Sequence, residues 1–289
     1  MATAATAPVF VTPVTSTLGA IQGTVGASNV LTLKLPTGQT YYGIILECLA
    51  TATPDTVAHI KNDIAKVRVL VSGEPVIDLS ATELFDMELF EGGSNTAGYL
   101  YIPLSLKLVR DYAAAYLYAL GTASGLTGAQ LEVTMNSGTL TVTNINVFGL
   151  IDNVERPLGA HRRIISSRRA FGTTGYDEIN DVMRPQTALL RQLHVTNATN
   201  LTKVKVSVSG NLIKSDVPIG VINKEAASAG FVPVSGYGHI NFDLLRNGRQ
   251  GLPLGAISNL GLSTNWSSSP TAYNTIQDYI EHYGAANLN

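Results

Sequence analysis

The chain has 289 residues, which is enough for two domains of ordinary size, each with its own hydrophobic core. Charged residues make up only 14% of the sequence and the formal net charge is −2, so the overall charge does not predict nucleic-acid binding. The single cysteine, Cys48, excludes a disulfide within one chain, and no apolar run reaches the roughly 18–20 residues of a membrane-spanning helix.

Residues 1–28 contain no charged side chain and are rich in Ala, Thr, Val and Gly. They lack the basic start and continuous apolar stretch of a secretory signal peptide, so we expect the protein to be made in the cytoplasm. We interpret this segment as an N-terminal arm that orders against a partner or against the core of the chain itself. A frayed terminus is the alternative interpretation.

Residues 29–155 alternate apolar and polar side chains in a way that is typical of strands with one buried face. The clearest example is KVRVLVSG, from Lys66 to Gly73, which ends in a Ser-Gly turn signal. The alanine-rich segment from Val109 to Leu120 predicts a helix packed on one face. The other predicted strands are Asn29–Pro36 and Thr40–Leu49, which we expect to pair across the turn between them, then Gly98–Leu108, Ala129–Met135 and Thr139–Ile151.

Residues 156–289 repeat this order after a connector that contains Pro157. The segment KVKVSVSG, from Lys203 to Gly210, matches the strand that begins at Lys66. A short helix is predicted at Gln250–Ile257 and a strand at Asn259–Trp266. The predicted helices begin 43 and 47 residues after the two lysines, and the next strands begin 63 and 56 residues after them. The repeated order of elements indicates a duplication.

These elements predict an all-β fold of two tandem eight-stranded jelly rolls, each with two antiparallel sheets and short helices in the long connections. The predicted boundaries are an arm at 1–28, a first jelly roll at 29–155 and a second at 156–289. Two immunoglobulin-like sandwiches would also fit the number of strands, but they fit the late helix of each half less well.

The two halves carry opposite charge. Residues 1–155 contain 6 Lys and Arg against 13 Asp and Glu, or −7, whereas residues 156–289 contain 13 against 8, or +5. If copies of the chain pack head to tail, the acidic half of one copy faces the basic half of the next. Such complementarity favours the register and rate of association.

The sequence contains no recognised catalytic motif: G-x-S-x-G, H-E-x-x-H, a P-loop and C-x-x-C are all absent. A catalytic triad assembled in space stays open at this stage. Two of the histidines, His194 and His239, lie in strand patterns and are interpreted as structural. We therefore expect no enzymatic activity and no required cofactor. None of the histidines shows metal-ligand spacing; they are His59, His161, His194, His239 and His282.

Two charged clusters are candidate sites. The carboxylates of Asp177, Glu178 and Asp181 are candidates for binding calcium through oxygen ligands, against a solvated loop or pairing with Arg184 as the alternative. The segment HRRIISSRR is either a solvated or internally paired surface, or a contact with phosphate headgroups, nucleic acid or an acidic neighbour. Its arginines, which we predict to lie near a membrane or a neighbouring subunit, are Arg162, Arg163, Arg168 and Arg169.

Four segments carry a resemblance to a known family. They are TLKLPTGQTY (Thr32–Tyr41) leading to IAKVRVLVSG, VRDYAAAYLYALGTASGLTGAQLEV (Val109–Val133), RRAFGTTGYDEINDVMRP (Arg168–Pro185) and GLPLGAISNLGLSTNW (Gly251–Trp266). With these segments the chain resembles the double jelly-roll major capsid proteins of tailless icosahedral phages with an internal membrane, most closely the corticovirus type.

The resemblance implies a structural protein of the virion. It implies homotrimers with a pseudo-sixfold outline that tile an icosahedral shell, with neighbouring trimers, a vertex protein and the internal membrane as partners. It implies no sequence-specific contact with nucleic acid, and calcium is the one ion associated with such shells. The alternative function is a tandem β-sandwich module that binds carbohydrate, for which Trp266 would be the candidate aromatic platform.

Overall fold

The structure is a computed structural model of the chain, and it describes residues 13–106, 118–123, 128–180, 182–245 and 250–281. Most of the helix predicted between Val109 and Leu120 lies outside these residues, as do the calcium candidate Asp181 and the histidine His282. The described part of the chain folds into two jelly rolls in tandem, which confirms the predicted fold class.

Eight long strands and two very short ones build the first jelly roll. In chain order they are β1 (Val14–Ala20), β2 (Val30–Leu35), β3 (Thr40–Ala50), β4 (Thr53–Pro54), β5 (Ile64–Val71), β6 (Glu74–Leu79), β7 (Tyr99–Pro103), β8 (Leu120–Gly121), β9 (Ala129–Met135) and β10 (Asn144–Asp152). One sheet has the order β1-β10-β3-β7 and the facing sheet the order β6-β5-β9-β2. Helix α1 (Val57–Asp63) precedes β5, and helix α2 (Ala81–Phe90) follows β6.

In the described residues, the eight long strands of the second jelly roll repeat this arrangement. Its strands are β11 (His161–Phe171), β12 (Gly175–Ile179), β13 (Leu189–Val195), β14 (Leu201–Val208), β15 (Asn211–Pro218), β16 (Gly238–Asn241), β17 (Leu252–Pro253), β18 (Leu260–Trp266) and β19 (Thr271–Glu281). The sheet orders are β11-β19-β13-β16 and β15-β14-β18-β12. Helix α3 (Ile219–Ser228) follows β15, just as α2 follows β6.

The two lysine-rich strands that suggested the duplication are equivalent. Strand β5 lies between β6 and β9, and β14 lies between β15 and β18. Each ends in a two-residue Ser-Gly turn in which both residues have positive φ: 52° and 84° at Ser72 and Gly73, 50° and 81° at Ser209 and Gly210. Two positive φ values are the requirement of a type I′ turn, whose twist matches that of the flanking strands.

The helices of the repeat are not the ones that the sequence pattern predicted. The equivalent helices α2 and α3 begin 15 and 16 residues after Lys66 and Lys203. The predicted helix at Gln250–Ile257 is wrong among the described residues, where Leu254–Ala256 forms a single 3-10 turn after the short strand β17. Helix α2 had a signal in the sequence: Ser80 and Glu83 form a capping box, in which each side chain accepts from the other residue's backbone N–H.

The structure adds to two other sequence predictions. Strand β1 pairs with β10, so residues 14–20 of the predicted arm are ordered against the first jelly roll, in agreement with one of the two interpretations of the arm. Among the residues of β1 whose burial is described, 14–19, only Leu18 is buried. Backbone pairing with β10 holds the strand, so the sequence shows no alternation of apolar and polar residues there. The predicted pairing of β2 with β3 is wrong, because the chain crosses from one sheet to the other at Gly38.

The two jelly rolls are joined by a continuous sheet. Strand β11, the first of the second jelly roll, pairs in parallel with β6 at Ile164–Ile77 and Ile165–Asp78. The core of the first jelly roll accordingly includes Ile164 and Ile276 from the second. The chain itself passes between the two units through residues 153–160.

Candidate functional site at the junction of the two jelly rolls

Helix α2 of the first jelly roll packs against the second through polar side chains. The Glu83 carboxylate, whose Oε2 takes part in the capping box, accepts hydrogen bonds at Oε1 from Ser166 Oγ (2.6 Å) and Asn274 Nδ2 (2.7 Å). One turn later, the Asp86 carboxylate accepts a hydrogen bond from Tyr237 Oη at 3.0 Å. A surface helix normally exposes its polar face to solvent. In α2, polar side chains instead contact the second jelly roll.

A chain of buried ion pairs continues from the end of α2. The Arg162 guanidinium is fully buried and donates to Asp278 at 3.1 and 2.8 Å, to the Glu91 carboxylate and to the Ser105 carbonyl oxygen at 3.2 Å. Arg191 Nη1 donates to the same Asp278 at 3.0 Å. Through Arg162, the network links Glu91 and Ser105 of the first jelly roll to Asp278 of the second.

Each buried charge of this network has a partner of opposite charge. Arg191 Nε also donates to Asp243 at 3.0 Å, so two guanidinium groups serve three carboxylates. Burial lowers the pKa of Arg162, but the charges and hydrogen bonds of Asp278 and Glu91 outweigh burial and raise the pKa above its usual value. A buried charge that is paired and hydrogen-bonded is tolerated, whereas a buried charge left alone is costly.

Phe90, the last residue of α2, inserts its ring into an aromatic cluster of the second jelly roll. The ring stacks on Phe231 at 4.7 Å and on His239 at 4.1 Å between centroids, and it meets the edge of His194 at 4.9 Å. The Phe90 carbonyl oxygen also accepts a hydrogen bond from the backbone N–H of Val232 at 2.8 Å. The cluster buries apolar surface beside the ion-pair network.

The two histidines of the cluster are neutral and hydrogen-bonded to each other. Their Nδ1 atoms lie 2.8 Å apart, and His239 Nε2 accepts from the backbone N–H of Val234 at 3.0 Å. His239 therefore carries its proton on Nδ1 and donates it to His194 Nδ1. Burial lowers the pKa of His194 to about 3, with Arg162 and Arg191 adding to the effect, and burial with His194 lowers the pKa of His239 to about 2.

The geometry of this junction is that of a structural connection, and the comparison with known families agrees. Residues 16–152 match the family model described as viral coat protein P2 N-terminal domain. The first jelly roll is therefore similar to a viral coat protein P2 N-terminal domain. This similarity agrees with the prediction of a structural protein. No curated protein sequence matches the chain.

Solved structures extend the likeness over both jelly rolls. The major capsid protein P2 from bacteriophage PM2 is similar over 93% of this chain and 97% of its own, with a TM-score of 0.80 and 18% identity. A chain of Sulfolobus Turreted Icosahedral Virus gives 0.64 at 15% identity over 96% and 93%. A chain of the PBCV-1 virus capsid gives 0.60 at 12% identity over 96% and 97%. The shared fold is the double jelly roll.

The predicted role of the arginine cluster is wrong for its first two members. Arg162 lies in the buried network, and Arg163 donates to both oxygens of Glu281 at 2.9 Å, so neither side chain is available to a membrane or to a neighbouring subunit. The reason is that the first five residues of β11 are buried where the strand pairs with the first jelly roll, and the strand becomes exposed only after Ile165. Arg168 is exposed and Arg169 is half-buried, and their predicted contact with a membrane or a neighbour stays a prediction.

The two described members of the acidic cluster, Asp177 and Glu178, do not converge on one point. Asp177 and Glu178 are consecutive residues of β12, so their side chains project from opposite faces of the sheet. Asp177 is also the acceptor of a hydrogen bond from Tyr273 Oη at 2.6 Å. Among the described residues, no group of three His, Cys, Asp or Glu side chains is placed to hold a metal ion. Calcium binding by the chain stays a prediction.

The candidate aromatic platform for carbohydrate is buried. Trp266 is only 1% exposed and packs on Tyr273 in the second core. No helix in the described part of the chain is long and apolar enough to cross a membrane. The acidic partners of the junction were missed in the sequence because Glu91, Asp243 and Asp278 lie 71, 52 and 116 residues from their arginines in the chain.

Proposed function

We propose that the chain is the structural major capsid protein of an icosahedral virion. The observation that supports this best is the duplication: two equivalent jelly rolls, the first similar to a coat-protein domain, held together by a buried network of ion pairs. One chain therefore supplies two similar building blocks in one relative orientation. The fold is found in assembled shells such as the PBCV-1 virus capsid, which supports self-association of this chain.

The assembled unit is proposed to be a homotrimer. Three chains place six jelly rolls around one axis, so a threefold unit acquires the nearly hexagonal outline that tiles a shell. The low content of charged residues, 14%, suits a surface of which much is covered by other subunits. Neighbouring trimers, a vertex protein and an internal membrane are the proposed partners, with calcium as a proposed ion of the assembled shell.

Sizing the purified protein by light scattering, together with electron microscopy of particles, tests the proposal. We expect a trimer in solution and icosahedral particles with pseudo-hexagonal surface units. A protein that stays monomeric at high concentration under every salt condition would contradict it. The same samples, assayed for glycan binding, separate the capsid function from the carbohydrate-binding alternative.

A further inference from the structure

The joint between the two jelly rolls is made by two sheet edges. Strand β6 is the edge of one sheet of the first jelly roll, and β11 is the edge of one sheet of the second. Where they pair in parallel, the apolar side chains are covered: Val76, Ile77 and Leu79 of β6 are at most 3% exposed, and Ile164 and Ile165 of β11 are at most 6% exposed. The internal joint is thus an edge-to-edge contact with a buried apolar lining.

The duplication creates a second pair of such edges. Strand β15 holds the position of β6 in the second jelly roll, and β1 holds the position of β11 in the first. Within the described residues, each of these two strands pairs on one side only. Three of their apolar side chains are exposed, unlike those that line the internal joint: Leu212 at 58%, Ile213 at 48% and Val14 at 52% exposure. Leu18 of β1 is buried against its own jelly roll.

Unpaired edges with exposed apolar side chains are sites at which sheets join. Within one chain, β15 and β1 lie at the free ends of the two-domain unit, so the occupant of each edge is the complementary edge of another copy. The charges of the halves favour the same contact, because β15 belongs to the half with formal charge +5 and β1 to the half with −7. A contact of like edges, β15 with β15, would bring two basic halves together.

We propose that β15 of one copy pairs in parallel with β1 of a second copy and so repeats between chains the joint that β6 and β11 form within the chain. This inference rests on the proposed self-association and names the surface that carries it. The contact is heterologous, so successive copies add head to tail and the assembly ends only when the ring closes. No additional element of the chain is required to build it.

Cross-linking of two variants, each with one added cysteine, tests the pairing. Thr15→Cys places a thiol on exposed β1 and Ile213→Cys one on exposed β15, and a short bis-maleimide then joins thiols on neighbouring strands. The native Cys48 does not compete, because burial raises the pKa of its thiol to about 12. We expect cross-linked dimers in the mixture of the two variants and none with either variant alone.

The other outcomes overturn the inference in distinguishable ways. Cross-linked dimers with one variant alone would show that like edges pair. An oligomer by light scattering without cross-links in the mixture would place the contact elsewhere and leave the proposed capsid function standing. Monomers in all samples would contradict the proposed function together with this inference.

A charge substitution gives an independent measurement. Ile213→Lys places a solvated charge on the β15 edge, the device by which sheet edges avoid association, and we expect the association constant to fall at least about tenfold. The matched control is Leu245→Lys, which changes a residue that is 63% exposed on the connection after β16 and is expected to leave association unchanged. Equal effects of the two substitutions would overturn the proposal.

Discussion

Arg162 and Asp278 form a bidentate ion pair from which solvent is completely excluded. Nε and Nη2 of the arginine lie 3.1 and 2.8 Å from the two carboxylate oxygens, and both side chains are fully buried. The two residues belong to neighbouring strands, β11 and β19, of the second jelly roll. Since Arg162 also donates to Glu91 and Ser105 of the first jelly roll, this pair fixes one domain on the other.

Replacement of Arg162 by methionine is predicted to destabilise the protein strongly. Methionine keeps most of the length of the side chain but leaves the Glu91 carboxylate buried without its cation, and Asp278 keeps only Arg191. Breaking a buried pair in this way costs about 3–5 kcal/mol. The free energy of unfolding from guanidinium titration measures the loss.

Arg168→Met is the matched control for this prediction. Arg168 lies on the same strand, β11, but is exposed to solvent. Surface substitutions of this kind change stability by less than about 0.5 kcal/mol. A similar small loss for Arg162→Met would show that the junction tolerates an unpaired carboxylate.

The two ends of β11 show what sequence patterns reveal and what they do not. The run HRRIISSRR looks uniform, yet its first five residues are buried and the arginines at 168 and 169 are not. The alternation of residue types along β11 does not predict this change from buried to exposed. The burial depends on contact with the first jelly roll, which covers only the first part of the strand. Arg162 and Asp278 are 116 residues apart, so their contact exists only in the folded chain. The repeated strands were predictable because each carries its own alternation and its own turn signal.

The buried histidine pair predicts a loss of stability in acid. The pKa values of about 3 for His194 and about 2 for His239 lie below the usual value near 6.5, so the unfolded chain binds protons that the folded chain does not bind. The contribution of the two neutral histidines to the free energy of unfolding is therefore complete above about pH 6.5. As the pH is lowered below this value, the contribution falls by about 1.4 kcal/mol per pH unit for each histidine. Arg162, Arg191 and Phe90 surround the pair, and none of them gives the added charge a partner.

A comparison of variants isolates this contribution. The wild type and His194→Gln differ by the buried histidine, so the difference between the pH dependences of their unfolding free energies from pH 7 to pH 4 reports its contribution. We expect a shallower dependence in the variant by up to about 1.4 kcal/mol per pH unit. The control His59→Gln removes an exposed histidine, with half of its side chain accessible. Parallel profiles for wild type and His194→Gln would contradict the prediction.

The two Ser-Gly turns predict equal costs for the same substitution. Gly73 and Gly210 both have positive φ, at 84° and 81°, and an added Cβ at either position meets no atom within 4 Å. Alanine at either position is strained only by its own backbone, because at positive φ its Cβ crowds the following carbonyl oxygen, at about 1–2 kcal/mol per site, and asparagine costs less because it visits this region more readily. Chemical denaturation of Gly73→Ala and Gly210→Ala measures both costs.

At two further glycines, Gly98 and Gly172, alanine is expected to cost more and less, respectively, than at the two turns. At Gly98, φ is 83° and an added Cβ would lie 2.5 Å from Pro54 Cβ, so alanine is expected to cost more than at either turn because a steric clash adds to the backbone strain. At Gly172, nothing lies within 4 Å of an added Cβ and φ is not positive, so alanine is expected to be neutral or slightly stabilising. Unequal costs at Gly73 and Gly210 would contradict the equivalence of the two turns.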